Sequence, residues 1–273
     1  MAWALVTPAS RGIGFALTGH LLRTLPASVP VVATARSDVA GVREKLLALS
    51  PGLSESQSSR LDVQGCDVLS EPSISRLARY CQERYHDKRQ RQEKTAHLRI
   101  GFVIPGMLIP ERAPDKIEYE RALQTLKLNL LAPMMLVKHF ASFLPRKSTQ
   151  MVYEEGTLPR SAVLALMSAR VGSIGDNRLG GWYSYRASKA GVNQVVKSTD
   201  IFLEMQSGHK AMCVGLHPGT VKTSLSREFW DSTPPERLFS PEFSAQRLID
   251  VVYGLEESSR GKCWDWKGQE IPP

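Results

Sequence analysis

Two residues four positions apart, Tyr185 and Lys189, could form an acid–base pair. They fall in a pattern that predicts a helix over 183–205, and residues four apart share one face of a helix. An ammonium group one turn away favours the phenolate and lowers the pKa of a tyrosine from its usual value near 10. A tyrosine tuned in this way could donate a proton near neutral pH. The pair alone is weak evidence, because about half a match is expected by chance in a chain of this length.

A turn of small residues follows the first apolar run and could bind a phosphate. Residues 7–14 read Thr-Pro-Ala-Ser-Arg-Gly-Ile-Gly, between a predicted strand over 3–7 and a predicted helix over 13–25. Gly12 and Gly14 would allow backbone amides to approach a pyrophosphate, and the helix N-terminus adds positive potential. An ordinary turn containing glycine is the alternative. The position after the first strand favours a dinucleotide.

The end of the second predicted strand bears on the choice of dinucleotide. An acidic residue about 20 positions past the glycines would bind a ribose 2′-hydroxyl. The strand here ends at Arg36, and Asp38 follows two residues later. Arg36, together with Arg11, could instead pair with a 2′-phosphate. The sequence therefore favours NADP over NAD, the alternative being that Arg36 simply faces solvent.

Predicted strands and helices alternate along the chain and would position these residues. Alternation of this kind implies a parallel sheet covered by helices on both faces. No repeat or low-complexity linker interrupts it, so we expect one doubly wound α/β domain over 1–273. The predicted strands cover 3–7, 29–35, 60–68, 98–104, 162–167, 211–216 and 262–266. The predicted helices cover 13–25, 39–49, 70–95, 119–144, 183–205 and 243–255.

Composition excludes several classes of protein. The chain has 273 residues, 42% hydrophobic and 23% charged, which argues against a disordered, collagen-like or disulfide-scaffold protein. Four widely spaced cysteines suggest neither a zinc site nor a disulfide framework. No apolar run reaches the length of a membrane span. Since the first strand begins almost at residue 1, we expect no targeting peptide and a cytoplasmic location.

The formal net charge of +8 raises the question of an anionic partner. Residues 79–99 carry seven basic and three acidic residues, which is half of the excess. No nucleic-acid module accompanies them. We therefore interpret this segment as a solvated face and expect no nucleic-acid partner. The anion that the motifs favour is the dinucleotide.

Taken together, the motifs resemble the short-chain dehydrogenase/reductase family over nearly the whole chain. The resemblance is carried by several segments in the right order. They are Thr7 to Gly14, Asp67-Val68, Asn129-Leu-Leu-Ala132, Tyr185-Arg-Ala-Ser-Lys189, the stretch His217 to Thr223, and the tail Asp265 to Pro272.

The resemblance implies a role for each matching residue. Tyr185 would be the acid or base, Lys189 would lower its pKa and hold the nicotinamide ribose, and Asn129 would hold a water in a proton relay. Asp67 would contact the adenine, and Val221 and Thr223 the carboxamide. The full set of implied cofactor-binding residues is Ser10, Arg11, Gly12, Ile13, Gly14, Arg36, Asp67, Gly106, Lys138, Tyr185, Lys189, Val221 and Thr223.

Three departures from the family pattern bear on function. The turn begins Thr7-Pro8 rather than Thr-Gly, so proline removes one N–H there. The fourth strand ends Ile104-Pro-Gly106 rather than Asn-Ala-Gly. After the fifth strand, alanine replaces the second serine of the usual Ser-Ser-x-x-Gly. Either Ser168 acts through a shifted strand end, or Ser173 reaches in from the loop, or no serine acts; we favour Ser168.

The sequence thus predicts an NADP(H)-dependent enzyme that transfers a hydride between nicotinamide and a carbonyl/alcohol substrate. Loops near 106–117, 172–182 and 224–239 would form the substrate pocket, with Trp182 as a lining residue or part of a packed loop. Phe229 and Trp230 lie where the family has a lid. The main alternative is a cofactor-binding regulator or scaffold with weak or no catalysis. The resemblance also implies a homodimer or homotetramer, and no metal site or membrane partner is expected.

Overall fold

The structure is a computed structural model that describes residues 2–48, 52–85, 96–151 and 157–273. Its strands are β1 Ala2–Thr7, β2 Val31–Ala35, β3 Leu61–Gly65, β4 His97–Val103, β5 Ala162–Met167, β6 Ala211–His217, β7 Thr220–Val221, β8 Leu238–Phe239, β9 Cys263–Asp265 and β10 Glu270–Ile271. Its helices are α1 Gly12–Thr24, α2 Val39–Ala48, α3 Glu55–Ser59, α4 Glu71–Tyr85, α5 Tyr119–Leu126, α6 Ala132–Phe140, α7 Tyr183–Ser207 and α8 Pro241–Tyr253. Strands and helices alternate, as the sequence predicts.

An eight-stranded sheet runs in the order β10-β9-β6-β5-β4-β1-β2-β3. All its pairs are parallel except that of β9 with β10. Strand β1 pairs with β2 on one side and with β4 on the other, so the strand order reverses there. Ligands of open α/β sheets bind outside the carboxyl ends of the strands at such a point. The doubly wound α/β prediction is confirmed, and the site is expected beyond Thr7 and Val103.

Both faces of the sheet are buried under helices. Successive side chains of a strand point to opposite faces. Ala4 and Val6 of β1 accordingly pack in one apolar cluster with residues of α1, α2 and α8, and Trp3 and Leu5 pack in a second cluster with residues of α4, α6 and α7. This two-sided burial explains why the strands are continuous apolar runs instead of alternating ones.

The long helix predicted over 119–144 is interrupted. Between α5 and α6 the backbone forms a π-helical turn at Lys127–Leu131, where the N–H of Ala132 donates to the carbonyl of Lys127. Proline has no N–H, so in a regular α-helix Pro133 would leave the carbonyl of Asn129 without its partner. The local adjustment expected at Pro133 therefore takes the form of a π turn that contains Asn129.

Some predictions differ from the structure or fall outside it. The third strand is shorter than predicted, because β3 ends at Gly65, and α3 was not predicted. Residues 49–51 and 86–95, which hold a predicted helix end and much of the basic segment, lie outside the described residues. The single-domain assignment stays a prediction. Across the described residues, no helix combines the length and apolar character that a bilayer span requires.

Candidate active site

Glycine shapes the turn between β1 and α1. A Cβ on Gly14 would lie 2.1 Å from the carbonyl oxygen of Pro8, so a side chain there would force α1 away from the strand. Gly12 has φ +57°, in the left-handed region that glycine enters without steric cost. In the described residues no side chain caps α1, and its first turn holds no acidic residue. This arrangement suits a phosphate.

Arg36 and Asp38 are both exposed beyond the end of β2 but differ in their contacts. The N–H of Ala9 donates to the carbonyl of Thr34 at 2.7 Å, which ties the β1–α1 turn to β2. Arg36, two residues further on, is exposed. The Asp38 carboxylate instead accepts the N–H of Gly41 at 3.1 Å, at the start of α2. Arg36 and Arg11 are thus exposed positive charges beside the turn, while the Asp38 carboxylate, also exposed, lies against the start of α2.

Asp67 lies in the loop after β3, and Thr223 lies against the β1–α1 turn. The Asp67 carboxylate accepts the N–H of Leu69 at 3.0 Å and its own N–H donates to Ser73 Oγ at 3.1 Å, which fixes its half-buried side chain beyond β3. A Cβ on Gly12 would stand 3.2 Å from Thr223 Cγ2. The segment after β6, which also holds the buried Val221, therefore meets the first turn.

Gly106 lies between two of the predicted catalytic residues. A Cβ on Gly106 would stand 3.9 Å from Lys189 Nζ and 4.0 Å from Asn129 Oδ1. The three residues come from the loop after β4, the π turn and α7, which are far apart in the chain. The structure therefore brings Gly106, Asn129 and Lys189 together at the carboxyl end of the sheet.

The fully buried Asn129 side chain ties three elements to one another. Its Oδ1 accepts the N–H of Met107 at 2.8 Å, and its Nδ2 donates to the Met107 carbonyl at 2.9 Å and to Ser188 Oγ at 3.1 Å. The backbone contact at Met107 takes the place of the polar residue that the strand end lacks. With its side chain committed in this way, Asn129 could hold a water through its main-chain carbonyl.

Tyr185 and Lys189 are both buried, and burial controls their protonation. Lys189 Nζ lies 5.8 Å from the centroid of the Tyr185 ring and donates to the Met167 carbonyl at 2.8 Å. Burial raises the pKa of Tyr185 to about 12 and lowers the pKa of Lys189 to about 8. Loss of solvent is the cause of the Tyr185 shift, so a lowering of its pKa by Lys189 stays a prediction.

Neither candidate serine is directed at Tyr185. The Ser168 hydroxyl donates to Asn193 Oδ1 at 2.5 Å, inside the contact between β5 and α7. Ser173 Oγ accepts the N–H of Asp176 at 3.0 Å and donates to the Pro273 carbonyl at 3.3 Å. Because consecutive residues of an extended segment face opposite sides, Ala169 presents the face that Ser168 does not. The predicted role of Ser168 therefore lacks structural support.

Lys138 also has a contact that the sequence did not predict. Its ammonium pairs with the Glu71 carboxylate at 2.5 Å, which joins α6 to the start of α4. Among the described residues, no hydrogen bond or ion pair links Lys138 to Tyr185, Lys189 or the β1–α1 turn. Its predicted contact with a cofactor therefore has no support from this arrangement.

Aromatic side chains stand beside Tyr185. The Trp182 ring lies 6.1 Å from the Tyr185 ring in an edge-on arrangement and 5.0 Å from the Phe229 ring. Phe229 belongs to the predicted lid, so the structure brings two of the predicted substrate loops into contact. Trp230 points elsewhere, with its indole N–H donating to Ser226 Oγ at 2.9 Å and Lys222 over its ring.

Two polar residues close to this site received no role from sequence reasoning. Glu111 is buried and bonded to Ser184 at the start of α7, a contact that has no signature in local sequence. His217 ends β6, and burial lowers its pKa to about 4. The sequence places His217 directly before a Pro-Gly turn, but it does not indicate that the side chain is buried. The described part of the chain holds no group of three or more His, Cys, Asp or Glu residues suited to a metal ion.

Comparisons with known proteins give relatives by sequence and neighbours by fold. No family model matches the chain. The chain is 28% identical over 199 residues to a 1-hydroxy-2-glutathionyl-2-methyl-3-butene dehydrogenase of Rhodococcus sp. (strain AD45). The alignment covers 72% of this chain and 74% of that protein. It is 30% identical over 156 residues to the C-signal protein of Myxococcus xanthus, covering 57% and 81%. An NADPH-bound carbonyl reductase from chicken fatty liver shares the fold, with a TM-score of 0.75, 24% identity, and 99% and 98% coverage.

Proposed function

The chain belongs to the short-chain dehydrogenase/reductase family, and we propose that it is an NADP(H)-dependent oxidoreductase acting on a carbonyl/alcohol pair. One observation carries the proposal. Tyr185, Lys189, Asn129 and Gly106 meet at the carboxyl ends of the strands, beside a glycine turn suited to a dinucleotide. The dehydrogenase and carbonyl reductase among its relatives support the same reaction class.

The residues around the β1–α1 turn fit an NADP molecule. The left-handed backbone at Gly12 and the uncapped start of α1 suit the pyrophosphate. Arg11 and Arg36 would pair with a 2′-phosphate, because both are exposed and Asp38 is engaged with α2. When bound, the nicotinamide supplies or accepts the hydride. The remaining proposed contacts are Ser10, Gly12, Ile13 and Asp67 toward the nucleotide, and Gly106, Lys189, Val221 and Thr223 toward the nicotinamide half.

We assign the proton transfer to Tyr185. A phenol with a pKa of about 12 is protonated at neutral pH, so Tyr185 is ready to donate to the oxygen of a reduced carbonyl. Lys189, with a pKa of about 8, exchanges a proton more readily than an ordinary lysine near neutral pH. The Asn129 carbonyl, which lacks its α-helical donor at Pro133, would hold the water that returns the proton.

No serine takes part in this proposal. The Ser168 hydroxyl is bonded to Asn193, and alanine occupies the neighbouring position. Tyr185 would then hold the substrate oxygen by itself. Such a site would be slower than one with an additional donor, because a donor aimed at the developing charge stabilises the transition state.

The missing serine is the specific observation that favours the alternative, an NADP(H)-binding regulator or scaffold. The two proposals differ in turnover. We expect the protein to oxidise NADPH with at least one member of a panel of aldehydes, ketones and quinones. NADPH binding without oxidation by any member of the panel would favour the regulator.

Cofactor choice can be tested apart from turnover. We expect NADPH to bind more tightly than NADH, and Arg36→Ala to weaken NADPH binding about tenfold or more, since a charge-assisted contact with phosphate contributes about 1.5–3 kcal/mol. Arg43→Ala removes an exposed arginine from the neighbouring helix and serves as the control. Equal NADPH affinity in both variants would contradict the assignment.

We also propose a homodimer or homotetramer formed through α5, α6 and α7. Large apolar side chains are exposed on these elements and on the π turn between α5 and α6: Tyr119, Leu131, Met134, Ile201, Phe202 and Met205. Large apolar side chains exposed on helices that contact one another support an interface between subunits. A cytoplasmic location is part of the proposal as well, supported by four buried cysteines that are free thiols.

A further inference from the structure

A buried carboxylate at the start of α7 has no role in the proposed chemistry. Glu111, in the loop after β4, is 4% exposed. Its Oε2 accepts the N–H of Ser184 at 2.7 Å, and its Oε1 accepts the Ser184 hydroxyl. Its backbone carbonyl accepts the N–H of Trp182 at 2.7 Å. Glu111 therefore satisfies two of the N–H groups at the helix start from outside the helix, where Trp182 itself offers no side-chain acceptor.

The segment that these bonds hold has an unusual backbone. Gly180, Gly181 and Trp182 have φ values of +63°, +64° and +50°. Glycine adopts this region freely, but a tryptophan there is an outlier that costs about 1–3 kcal/mol and persists only where its surroundings fix it. Arg186 supplies a second attachment, because its Nε donates to the carbonyls of Gly180 at 3.1 Å and Gly181 at 3.0 Å.

The fixed segment carries both the proposed acid and the ring beside it. Tyr185 follows Ser184 directly, in the first turn of α7. The Trp182 ring stands between the Tyr185 ring at 6.1 Å and the Phe229 ring at 5.0 Å. Any movement of the helix start would therefore shift the Tyr185 phenol and the Trp182 ring together.

We propose that Glu111 is a positioning residue that fixes Tyr185 and Trp182 through the first turn of α7. We infer further that Trp182, held in this way, selects carbonyl substrates that carry a flat apolar group. The indole ring would bind such a group by aromatic stacking and apolar contact. This selection rests on the proposed reductase function. The positioning by Glu111 concerns the fold of the site and can be measured without turnover.

The test compares four variants with the wild-type protein. Glu111→Ala removes both carboxylate bonds, Glu111→Gln keeps one acceptor oxygen, and Ser184→Ala keeps the backbone bond alone. Glu120→Ala is the matched control, because it removes an exposed glutamate from the nearby helix α5. Hydrogen exchange of peptides over 183–188 reports the helix start, and NADPH affinity and the thermal midpoint report folding.

We expect Glu111→Ala to exchange faster over 183–188 and to lose kcat by about tenfold or more, because small misplacements of a catalytic group can cost about a hundredfold. Glu111→Gln and Ser184→Ala should fall between Glu111→Ala and wild type. NADPH affinity should stay within about twofold of wild type, since the contacts at α1 are untouched. If Glu111→Ala does not fold, the two milder variants carry the test.

Unchanged exchange over 183–188 in the folded variants would overturn the positioning role. Faster exchange with unchanged kcat would overturn it too, because Glu111 would then be only a structural cap. A wild-type protein inactive toward the whole panel would contradict the proposed function and its substrate selection, while hydrogen exchange would still decide whether Glu111 holds the helix start.

Substrate selection is tested with benzaldehyde and butanal as probes. We expect kcat/KM of the wild-type protein to favour benzaldehyde by about tenfold or more, the size of effect that a well-filled apolar pocket gives. Trp182→Ala should bring the ratio close to one by reducing kcat/KM for benzaldehyde more than for butanal. An unchanged ratio would overturn the assignment of Trp182.

Discussion

Burial, rather than charge pairing, sets the protonation of the two residues at the centre of the site. Tyr185 has a pKa of about 12 and Lys189 a pKa of about 8, and desolvation is the largest cause of both shifts. The neutral form of each side chain is therefore more favoured in the protein than it is for the same side chain in water. A protonated tyrosine suits donation of a proton, which is the reductive direction.

The depressed pKa of Lys189 predicts a pH dependence of stability. Its folded pKa of about 8 lies below the unfolded value near 10.5, so the unfolded chain binds more protons between these values. The free energy of unfolding of the wild-type protein should therefore rise with pH in this window relative to Lys189→Met, by on the order of 3 kcal/mol. Urea denaturation from pH 8 to pH 10 measures the difference, and a flat difference would contradict the burial argument.

Which site residues could be predicted depends on whether their evidence is local. Tyr185 and Lys189 were recognisable because both lie on one helical turn, and Gly14 because it follows a strand. The direction of the Ser168 hydroxyl was not predictable, since it depends on its contact with Asn193 across the β5–α7 interface. Glu111 was missed for the same reason: its partner Ser184 is 73 residues away in the chain.

Among the secondary-structure elements, the π turn between α5 and α6 joins the loop after β4 to α7 at the candidate site. Periodicity over 119–144 predicted a long helix, and Pro133 predicted an irregularity within it. The form of that irregularity follows from tertiary contacts, because the Asn129 side chain bonds to Met107 after β4 and to Ser188 on α7. Such π turns are frequent at functional sites, and this one holds Asn129 of the proposed site.

Asn129→Ala should weaken the junction of these elements. The substitution removes three hydrogen bonds of Asn129, two to the backbone of the half-buried Met107 and one to the buried Ser188, and each contributes about 1 kcal/mol. We expect the free energy of unfolding to fall by about 3 kcal/mol in urea denaturation. Gln124→Ala, at an exposed position of α5, is the control. A loss no greater than that of the control would show that Asn129 does not hold the junction.

At the scale of the whole molecule, alternating elements predicted a doubly wound sheet, and the resemblance supported it. Two-sided burial made the strands recognisable as apolar runs such as Ala162–Met167, whose predicted bounds agree with β5. Short elements were not predicted, because β7, β8 and α3 are held by contacts with neighbours and have little periodicity of their own. Few of the basic residues behind the net positive charge have a proposed role in function, chiefly Arg11, Arg36 and Lys189.

The exposed apolar side chains of α6 and α7 predict association between copies of the chain. Phe202 is 47% exposed and Met205 66% exposed on α7. We expect light scattering to give the mass of a dimer or tetramer. Phe202→Glu should shift that mass toward the monomer, because a charge in an apolar interface is costly to bury. Leu179→Glu, at an exposed position in the loop before α7, should leave it unchanged. A monomeric wild-type protein would contradict the proposed interface.

The proposed chemistry is tested most directly by Tyr185→Phe. The substitution removes one hydroxyl from a buried ring and leaves the nucleotide turn and Lys189 in place. NADPH affinity, measured by fluorescence titration, should match that of the wild-type protein, while the rate of NADPH oxidation with the best carbonyl of the panel should fall by about a hundredfold or more. A variant that binds NADPH and keeps the full rate would contradict the assignment of Tyr185 as the proton donor.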